Sequence, residues 1–287
     1  MKYQLIAIDL DGTVLNKEGV IIPSAKEAIQ RVLAKGVKVT LATGRMYQPS
    51  NRFAEELGIS LPLICYQGAM IREPGNGEIL WHKPLSLPMA RKVITETRQL
   101  GVHQYVYIDD GMYVEEVGEK DLLYAQLNCV ELNLVNDLMV LLKKRPTGIA
   151  ARGEPAEIDC LMSRFNVYFG SRVIVNKVHA SFCEIAHPKS GKDNALEYLA
   201  NLLGIPQRQT VAIGDGPNDI SMLKWAGLGI VIGNAPDEVR QAADCVVDIG
   251  TQDSFAEAIT QLLCHGENRG MLKTRRNKKR NFVTDLS

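Results

Sequence analysis

The stretch Leu5-Ile6-Ala7-Ile8-Asp9-Leu10-Asp11-Gly12-Thr13 decides how this chain is interpreted, because an apolar run ends there in two acids. Four consecutive apolar residues indicate a buried strand, and Gly12 and Thr13 mark the loop after it. Strand side chains alternate in direction, but both acids point at one spot if the chain turns directly after Asp9. Two carboxylates at the end of a buried strand are unfavourable unless something compensates their charge. The pattern therefore predicts a bound cation, a phosphate-binding loop, or both.

The composition is that of an ordinary soluble globular protein, with 46% hydrophobic and 23% charged residues in a chain of 287. That length favours two domains. The acids interrupt the N-terminal apolar run after four residues, so we expect no signal peptide. No stretch reaches the roughly 18 uninterrupted apolar residues that a membrane span needs. The six cysteines are scattered without a C-x-x-C pair, which predicts reduced thiols in a cytoplasmic protein and argues against zinc.

Strand and helix signals alternate in the first 82 residues and again after residue 187. Apolar runs at residues 5–8, 37–42 and 61–65 predict three strands separated by helices, which is typical of a parallel sheet in an α/β fold. Residues 83–187 combine helical stretches with hairpin signals such as Asp109-Asp110-Gly111. We therefore predict an α/β core domain formed by residues 1–82 and 188–265, with an α+β domain inserted at residues 83–187.

The C-terminal residues 266–287 form a basic tail, with seven Lys and Arg residues against two acids. The tail carries a net charge of +5, and the first 265 residues carry 26 basic and 31 acidic side chains, a balance of −5. Such a tail can contact nucleic acid or anionic lipid. We expect instead that it is a disordered, solvated terminus.

Four loops carry the polar residues from which a site can be built. They are Asp9-Leu10-Asp11-Gly12-Thr13, Thr43-Gly44-Arg45, Gly191-Lys192 and the stretch from Gly214 to Asp219. Ligands of open α/β sheets bind at the carboxyl ends of the strands, so three of these loops are expected to converge. Their four aspartates contribute −4 and Lys192 contributes +1, so one Mg²⁺ brings the total to −1. Mg²⁺ prefers carboxylate and phosphate oxygens, and with it a phosphate dianion can approach one carboxylate that attacks and another that transfers a proton.

These loops resemble the four ordered motifs of the haloacid dehalogenase superfamily. The motifs are Asp9-Leu10-Asp11-Gly12-Thr13, Leu41-Ala42-Thr43-Gly44-Arg45, Gly191-Lys192-Asp193 and Gly214-Asp215-Gly216-Pro217-Asn218-Asp219. The large insert between the second and third motifs is similar to that of the Cof-type (subclass IIB) phosphatases, many of which act on sugar phosphates. The resemblance covers most of residues 1–264 and implies an α/β fold. Its Rossmann-like parallel-sheet core would carry an inserted α+β cap domain of the C2 type.

The resemblance implies a catalytic or metal-binding role for each aspartate of the motifs. Asp9 would be the nucleophile that forms an aspartyl-phosphate and a ligand of Mg²⁺. Asp11 would protonate the leaving group and then activate water, and its backbone carbonyl would also hold the metal. Asp215 would bind Mg²⁺ directly, with Asp219 supporting that ligand set. Members that act on carbon–halogen or carbon–phosphorus bonds lack an acid at the position of Asp11, so its presence favours phosphate esters.

The resemblance also implies how phosphate is bound. Thr43, the Gly44 amide and Asn218 would contact the phosphoryl group, and Lys192 would neutralise the nucleophile and the phosphate. Family members often have Lys-Gly where this chain has Lys192 followed by an acid, and Lys189 is close enough in sequence to be a rival for the lysine role.

Two positions carry no assigned role. Cof-type members usually have Asn where this chain has Gln67, before Gly68 and Ala69, and the side chain of Gln is longer by one methylene group. Arg45 is as well suited to a structural ion pair as to a substrate contact.

The sequence thus predicts a Mg²⁺-dependent phosphomonoester hydrolase that acts on a small phosphorylated metabolite, a sugar phosphate or a cofactor phosphate. A phosphomutase that uses the same aspartyl-phosphate would share every motif. A phosphate-sensing or nucleic-acid-binding protein that uses the basic tail is a second alternative, which the acid pair disfavours.

Overall fold

The structure, a computed structural model, describes residues 2–248 and 253–265, so the predicted basic tail lies outside the described residues. In chain order the elements are β1 (Leu5–Ile8), α1 (Pro23–Ala34), β2 (Lys38–Leu41), α2 (Tyr47–Leu57), β3 (Leu63–Cys65), β4 (Met70–Arg72), β5 (Ile79–His82), α3 (Leu87–Gln99), β6 (His103–Ile108), β7 (Gly111–Val114), α4 (Glu119–Asn128), β8 (Leu132–Leu134), β9 (Gly148–Arg152), α5 (Pro155–Phe169), β10 (Ile174–His179), β11 (Phe182–Ala186), α6 (Lys192–Leu202), β12 (Thr210–Gly214), α7 (Ile220–Trp225), β13 (Leu228–Ile232), α8 (Asp237–Ala242), β14 (Cys245–Val247) and α9 (Ser254–His265). Across this described part of the chain, every helix is too short or too polar to cross a membrane.

Contacts between residues divide the chain into two compact units. The first, which we call the parallel-sheet unit, consists of the described parts of Met1–Ala42, Glu56–Leu61 and Leu196–Ser287. The second, which we call the antiparallel-sheet unit, consists of Thr43–Glu55 and Pro62–Ala195. The insert predicted at residues 83–187 lies within the second unit, and so do Thr43, Gly44 and Lys192.

The parallel-sheet unit is built on strands in the order β14-β13-β12-β1-β2, each paired in parallel with its neighbours. All four residues of β1 are buried, as a parallel strand covered on both faces requires. Helices α1 and α9 pack against each other, and α7 packs against β12 and β13. The predicted parallel α/β sheet is therefore present, with β1 between β12 at its centre and β2 at its edge.

The antiparallel-sheet unit contains a mixed sheet in the order β10-β11-β9-β6-β7-β8, in which only β7 and β8 pair in parallel among these strands. Helices α3 and α5 supply buried apolar side chains to a core shared with β6, β9 and β11, including Ile94, Val106, Ile149, Phe165 and Ile185. This is the α+β arrangement expected from the hairpin signals.

The strand predicted at residues 61–65 forms, but its pairing differs from the expectation. The sequence pattern favours a third parallel strand, whereas β3 pairs antiparallel with β4 in a sheet of order β3-β4-β5. The chain reverses immediately after β3, because Tyr66, Gln67 and Gly68 all adopt positive φ, at 51°, 54° and 88°. Consecutive left-handed residues redirect the chain within one turn, which the strand–helix rhythm of the sequence does not reveal.

The predicted hairpin between β6 and β7 is present, with a different pair of residues at its tip. Ile108 pairs with Gly111, so Asp109 and Asp110 form the two-residue loop, with φ of 52° and 62°. Two positive φ values are those of a type I′ turn, and Asp tolerates them better than most residues. Gly111 opens the second strand instead of occupying the turn.

A buried ionic network fixes α4 to the large sheet of the antiparallel-sheet unit. Asp121 is 1% exposed, and it accepts hydrogen bonds from the Tyr105 hydroxyl at 2.5 Å and from Arg152 Nη2 at 2.7 Å. Its second oxygen accepts the Gly118 amide at 2.8 Å. Burial alone would raise the pKa of Asp121, but the hydrogen bonds from Tyr105, Gly118 and Arg152 lower it below its ordinary value.

Replacing this buried carboxylate, as Asp121→Asn, is expected to lower the free energy of unfolding by about 1–3 kcal/mol, because Arg152 and Tyr105 lose a charged acceptor. Urea denaturation measures the loss. Since the folded-state pKa lies below the ordinary value of 3.8, the loss is complete above about pH 4 and vanishes as the pH falls through the folded-state pKa. The control is Asp159→Asn, which removes an exposed bridge to Lys177 and should cost less than about 0.5 kcal/mol. Equal losses for the two variants would contradict the interpretation.

Candidate active site

Three carboxylates of the parallel-sheet unit converge at the carboxyl ends of β1 and β12. Asp9 directly follows β1, and its amide donates to the carbonyl of Ile213 in β12 at 2.9 Å. Asp215 directly follows β12, and Asp219 ends the turn after it. One oxygen from each of these three side chains lies within 4.8 Å of the others. Asp9 and Asp219 are buried and Asp215 is partly exposed, so the cluster reaches solvent through Asp215.

Local hydrogen bonds hold Asp215 and Asp219 in this position. The Asp219 carboxylate accepts the amides of Asp215 at 3.2 Å and of Gly216 at 3.1 Å, which closes the turn onto itself. Thr13 donates its hydroxyl to Asp215 Oδ1 at 3.0 Å. The loop after β1 therefore fixes a carboxylate of the loop after β12.

Gly12 permits this close packing of the two loops. Its φ is +79°, and a Cβ atom built on it would lie 2.2 Å from Asp215 Oδ2. Any side chain at this position would displace the carboxylate. Gly12 is thus required for two reasons: its positive φ in the turn after β1, and the close approach of Asp215 from the loop after β12.

The chemistry of this cluster fits a hard divalent cation. Its donors are carboxylate oxygens alone, which Mg²⁺ and Ca²⁺ prefer, whereas zinc and copper sites use nitrogen or sulfur. Three like charges this close are unfavourable unless a cation or protons compensate them. Asp9, Asp215 and Asp219 are the residues that would hold such an ion.

Asp11 and Asn218 lie beside the three clustered carboxylates in sequence but are placed differently. Asp11 is exposed and bridges to Leu15 in the folded loop after β1, where the amide of Leu15 also donates to the carbonyl of Leu10 at 2.9 Å. Its carboxylate is not part of the cluster that the three other acids form. Asn218 is partly exposed, and its Oδ1 packs against the backbone of Gly216.

The predicted phosphate-binding residues Thr43 and Gly44 lie in the antiparallel-sheet unit. Thr43 is buried, its amide donates to the carbonyl of Ile64 at 2.9 Å, and its Oγ1 accepts the amide of Arg45 at 3.1 Å. Gly44 lies against the side chain of Gln67, since a Cβ on Gly44 would meet Gln67 Nε2 at 2.2 Å. The Arg45 guanidinium lies 5.3 Å from the centre of the Phe53 ring, which is a structural contact.

Of the two lysines considered for the anion-binding role, Lys192 is 1% exposed and Lys189 is exposed. Lys192 is the first residue of α6, in the same unit as Thr43 and Gly44. The backbone before it is packed tightly, because a Cβ on Gly68 would lie 2.2 Å from the carbonyl oxygen of Gly191. A buried ammonium group needs an anionic neighbour. This favours Lys192 over Lys189.

Sequence reasoning missed Glu184, an acid in the middle of the buried strand β11. Burial raises its pKa to about 7, while a hydrogen bond from Gln67 and the charge of Lys192 act in the opposite direction. Its Oε2 atom is buried and has no hydrogen-bond partner among the described residues. The available signal was the single charged residue in the run Phe182-Cys183-Glu184-Ile185-Ala186, which ends five residues before Gly191. Gln67, which had no assigned role, joins this acid to Gly44.

Comparisons with known proteins agree with these features. The sequence model of the haloacid dehalogenase-like hydrolases matches residues 6–259. The 5-amino-6-(5-phospho-D-ribitylamino)uracil phosphatase YwtE of Bacillus subtilis is 30% identical, with 90% of this chain and 97% of the relative covered. Pyridoxal phosphate phosphatase YbhA of Escherichia coli is 28% identical, with 90% and 98% covered.

A solved structure confirms the fold. A haloacid dehalogenase-like hydrolase from Bacteroides thetaiotaomicron superposes with a TM-score of 0.81 at 25% identity, and the match covers 91% of this chain and 99% of the other. The predicted α/β fold and the resemblance drawn from the four motifs are both confirmed. This chain belongs to the haloacid dehalogenase-like hydrolase family, and it is a phosphatase.

Proposed function

We propose that this protein hydrolyses the phosphate monoester of a small metabolite, a sugar phosphate or a cofactor phosphate, with Mg²⁺ and through an aspartyl-phosphate. The observation that carries the proposal is the convergence of Asp9, Asp215 and Asp219, whose carboxylate oxygens fit a hard cation. The names of the relatives support the substrate class, because one acts on a phosphoribityl compound and another on pyridoxal phosphate.

In the first step, a carboxylate oxygen of Asp9 attacks phosphorus and the bond between phosphorus and the leaving oxygen breaks. Asp11 donates a proton to the leaving oxygen, and its exposed position leaves it accessible to that atom. In the second step, Asp11 takes a proton from water, the water oxygen attacks phosphorus, and the bond to Asp9 breaks. Inorganic phosphate leaves and both side chains return to their starting states.

The remaining residues position and neutralise the phosphoryl group. When bound, Mg²⁺ would offset the charge of the clustered acids and of the transferred group. The family resemblance assigns Thr43, Gly44, Asn218 and Lys192 to the phosphoryl oxygens. Burial of Lys192 supports its share of this role, since a desolvated ammonium attracts an anion more strongly than a hydrated one.

The first test replaces the nucleophile. Asp9→Asn should lower phosphate release from a panel of monoesters by at least about a thousandfold, because an amide oxygen is a poor nucleophile. Asp237→Asn, an exposed acid of the same unit, is the control and should leave the rate unchanged. Unaltered hydrolysis by the Asp9 variant would refute the mechanism. Release of an isomeric phosphate with little free phosphate from the wild-type enzyme would instead identify a phosphomutase.

A second test perturbs the proposed metal site by replacing Gly12, an uncharged residue beside Asp215. In Gly12→Ala the added methyl group would overlap Asp215 Oδ2, so the Mg²⁺ concentration for half-maximal activity should rise by about tenfold or more. Gly19→Ala is a matched control, because φ at Gly19 is +74° but nothing lies within 4 Å of its added Cβ. Titration of activity with Mg²⁺ measures both variants. Equal shifts would mean that backbone strain, and not displacement of Asp215, is responsible.

A further inference from the structure

A cleft in the antiparallel-sheet unit lies where strands β6 and β7 separate. The pairing of β6 with β7 ends at Val106 and Tyr113, whereas β6 continues to pair with β9 as far as His103. Residues 103–105 are therefore without a paired strand, among the described residues, on the side away from β9. The cleft has a volume of about 350 Å³, which falls in the range of about 300–1,000 Å³ typical of small-molecule sites. Its lining includes Arg98, His103, Gln104, Glu115 and Glu116.

The cleft is remote from the residues proposed to bind phosphate, which adjoin the other end of β6. The amide of Gln67 donates to the carbonyl of Thr43 at 3.1 Å, and the ring of the preceding Tyr66 lies 5.7 Å from that of Tyr107, centre to centre. His103 lies four residues before Tyr107 on the same strand. At about 3.3 Å per residue, this separation is about 13 Å. The cleft is therefore a second site within this unit.

Gln104 brings an unsatisfied hydrogen-bond acceptor to the cleft. The residue is 6% exposed, and its Nε2 donates to the carbonyl of Ile94 at 3.4 Å, which fixes the orientation of the amide. Its Oε1 is buried and has no hydrogen-bond partner within the described part of the chain. A buried acceptor without a donor is unfavourable, and a ligand that carries an N–H or O–H group would satisfy it.

The charge of the lining favours a cation over an anion. Arg98 Nη2 contacts two carboxylates, those of Glu115 and Asp137, the second at 2.5 Å. Glu116 is exposed, and its negative charge adds to a group in which the acids already outnumber the arginine. A phosphate or carboxylate would be repelled by this surplus, whereas an ammonium group would be attracted.

Two further observations favour an organic cation. Burial lowers the pKa of His103 below its ordinary value of 6.5, so its ring is neutral at pH 7 and does not repel a cation. A metal ion fits less well, because the acids close enough to share one, among the described residues, are Asp9, Asp215 and Asp219 of the other unit.

We propose that this cleft binds a small aliphatic amine, with Gln104 as hydrogen-bond acceptor and Glu116 as the opposing charge. Such a ligand is opposite in charge to a phosphate ester, so the site differs in chemistry as well as in place from the one proposed for the substrate. The inference does not depend on the proposed function, since it concerns binding alone.

The test compares three probes of equal chain length: 1,5-diaminopentane, 1,5-pentanediol and pentanedioate. Ligand-observed NMR titrations measure their binding to the intact chain at pH 7. The diamine should bind about tenfold more tightly than the diol, because a charge-assisted hydrogen bond is roughly twice as strong as a neutral one. Pentanedioate should not bind. Equal affinities for the three probes, or no binding of the diamine, would overturn the inference.

Two variants locate the diamine. Gln104→Met keeps the length of the side chain but removes the acceptor, and it should weaken diamine binding by about tenfold. Glu116→Gln removes the exposed charge and should weaken it by about threefold. Glu131→Gln, an exposed acid of the same unit outside the cleft, is the control and should change the affinity by less than about twofold. Loss of diamine binding in Asp215→Asn would place the probe at the clustered acids instead and refute the assignment.

Thermal unfolding separates loss of binding from loss of structure. Gln104→Met replaces a buried residue and removes its hydrogen bond to Ile94, so it may lower the unfolding temperature. Glu116→Gln changes an exposed side chain and should unfold at the wild-type temperature. Its diamine affinity therefore decides the proposal even when Gln104→Met does not fold. Wild-type affinity in either folded variant would contradict the role given to that residue and overturn the site.

Discussion

Repulsion among three carboxylates is the constraint around which the parallel-sheet unit is organised. Asp9, Asp215 and Asp219 hold oxygens within 4.8 Å of one another, in a part of the molecule where two of the three are buried. Neutral donors orient two of them: the hydroxyl of Thr13 donates to Asp215, and two amides of the turn after β12 donate to Asp219. These groups orient the two acids without removing their charge, so the cluster keeps the donors that a cation would need.

In the antiparallel-sheet unit, charges of opposite sign lie close together. There the charged groups are a buried cation, Lys192, and a partly buried acid, Glu184, each of which lowers the cost of burying the other. The pairing is incomplete, because one oxygen of Glu184 stays without a donor among the described residues. A buried acceptor without a donor is unfavourable, so this oxygen lowers the stability that the pairing provides.

The sequence alone predicts the features that depend on local pattern and fails where contacts are distant. The strand before Asp9 and the loop after β12 follow from apolar runs that end in acids, and the family follows from the order of four motifs. The antiparallel pairing of β3 does not follow from the sequence pattern. It depends on three residues after Cys65 with positive φ, and the spacing of hydrophobic residues does not indicate such a turn. Glu184 was missed for the same reason. Its partners Gln67 and Lys192 come from other segments of the chain, and in the sequence it is a single acid in an apolar strand.

The close approach of Gly68 to Gly191 has a consequence for how a change in one loop reaches another. A Cβ atom on Gly68 would lie 2.2 Å from the carbonyl oxygen of Gly191 and 2.7 Å from the amide nitrogen of Lys192. More than a hundred residues separate the two glycines in the sequence. The turn after β3 therefore fixes the position of the start of α6, and a side chain at Gly68 would displace the backbone of Lys192.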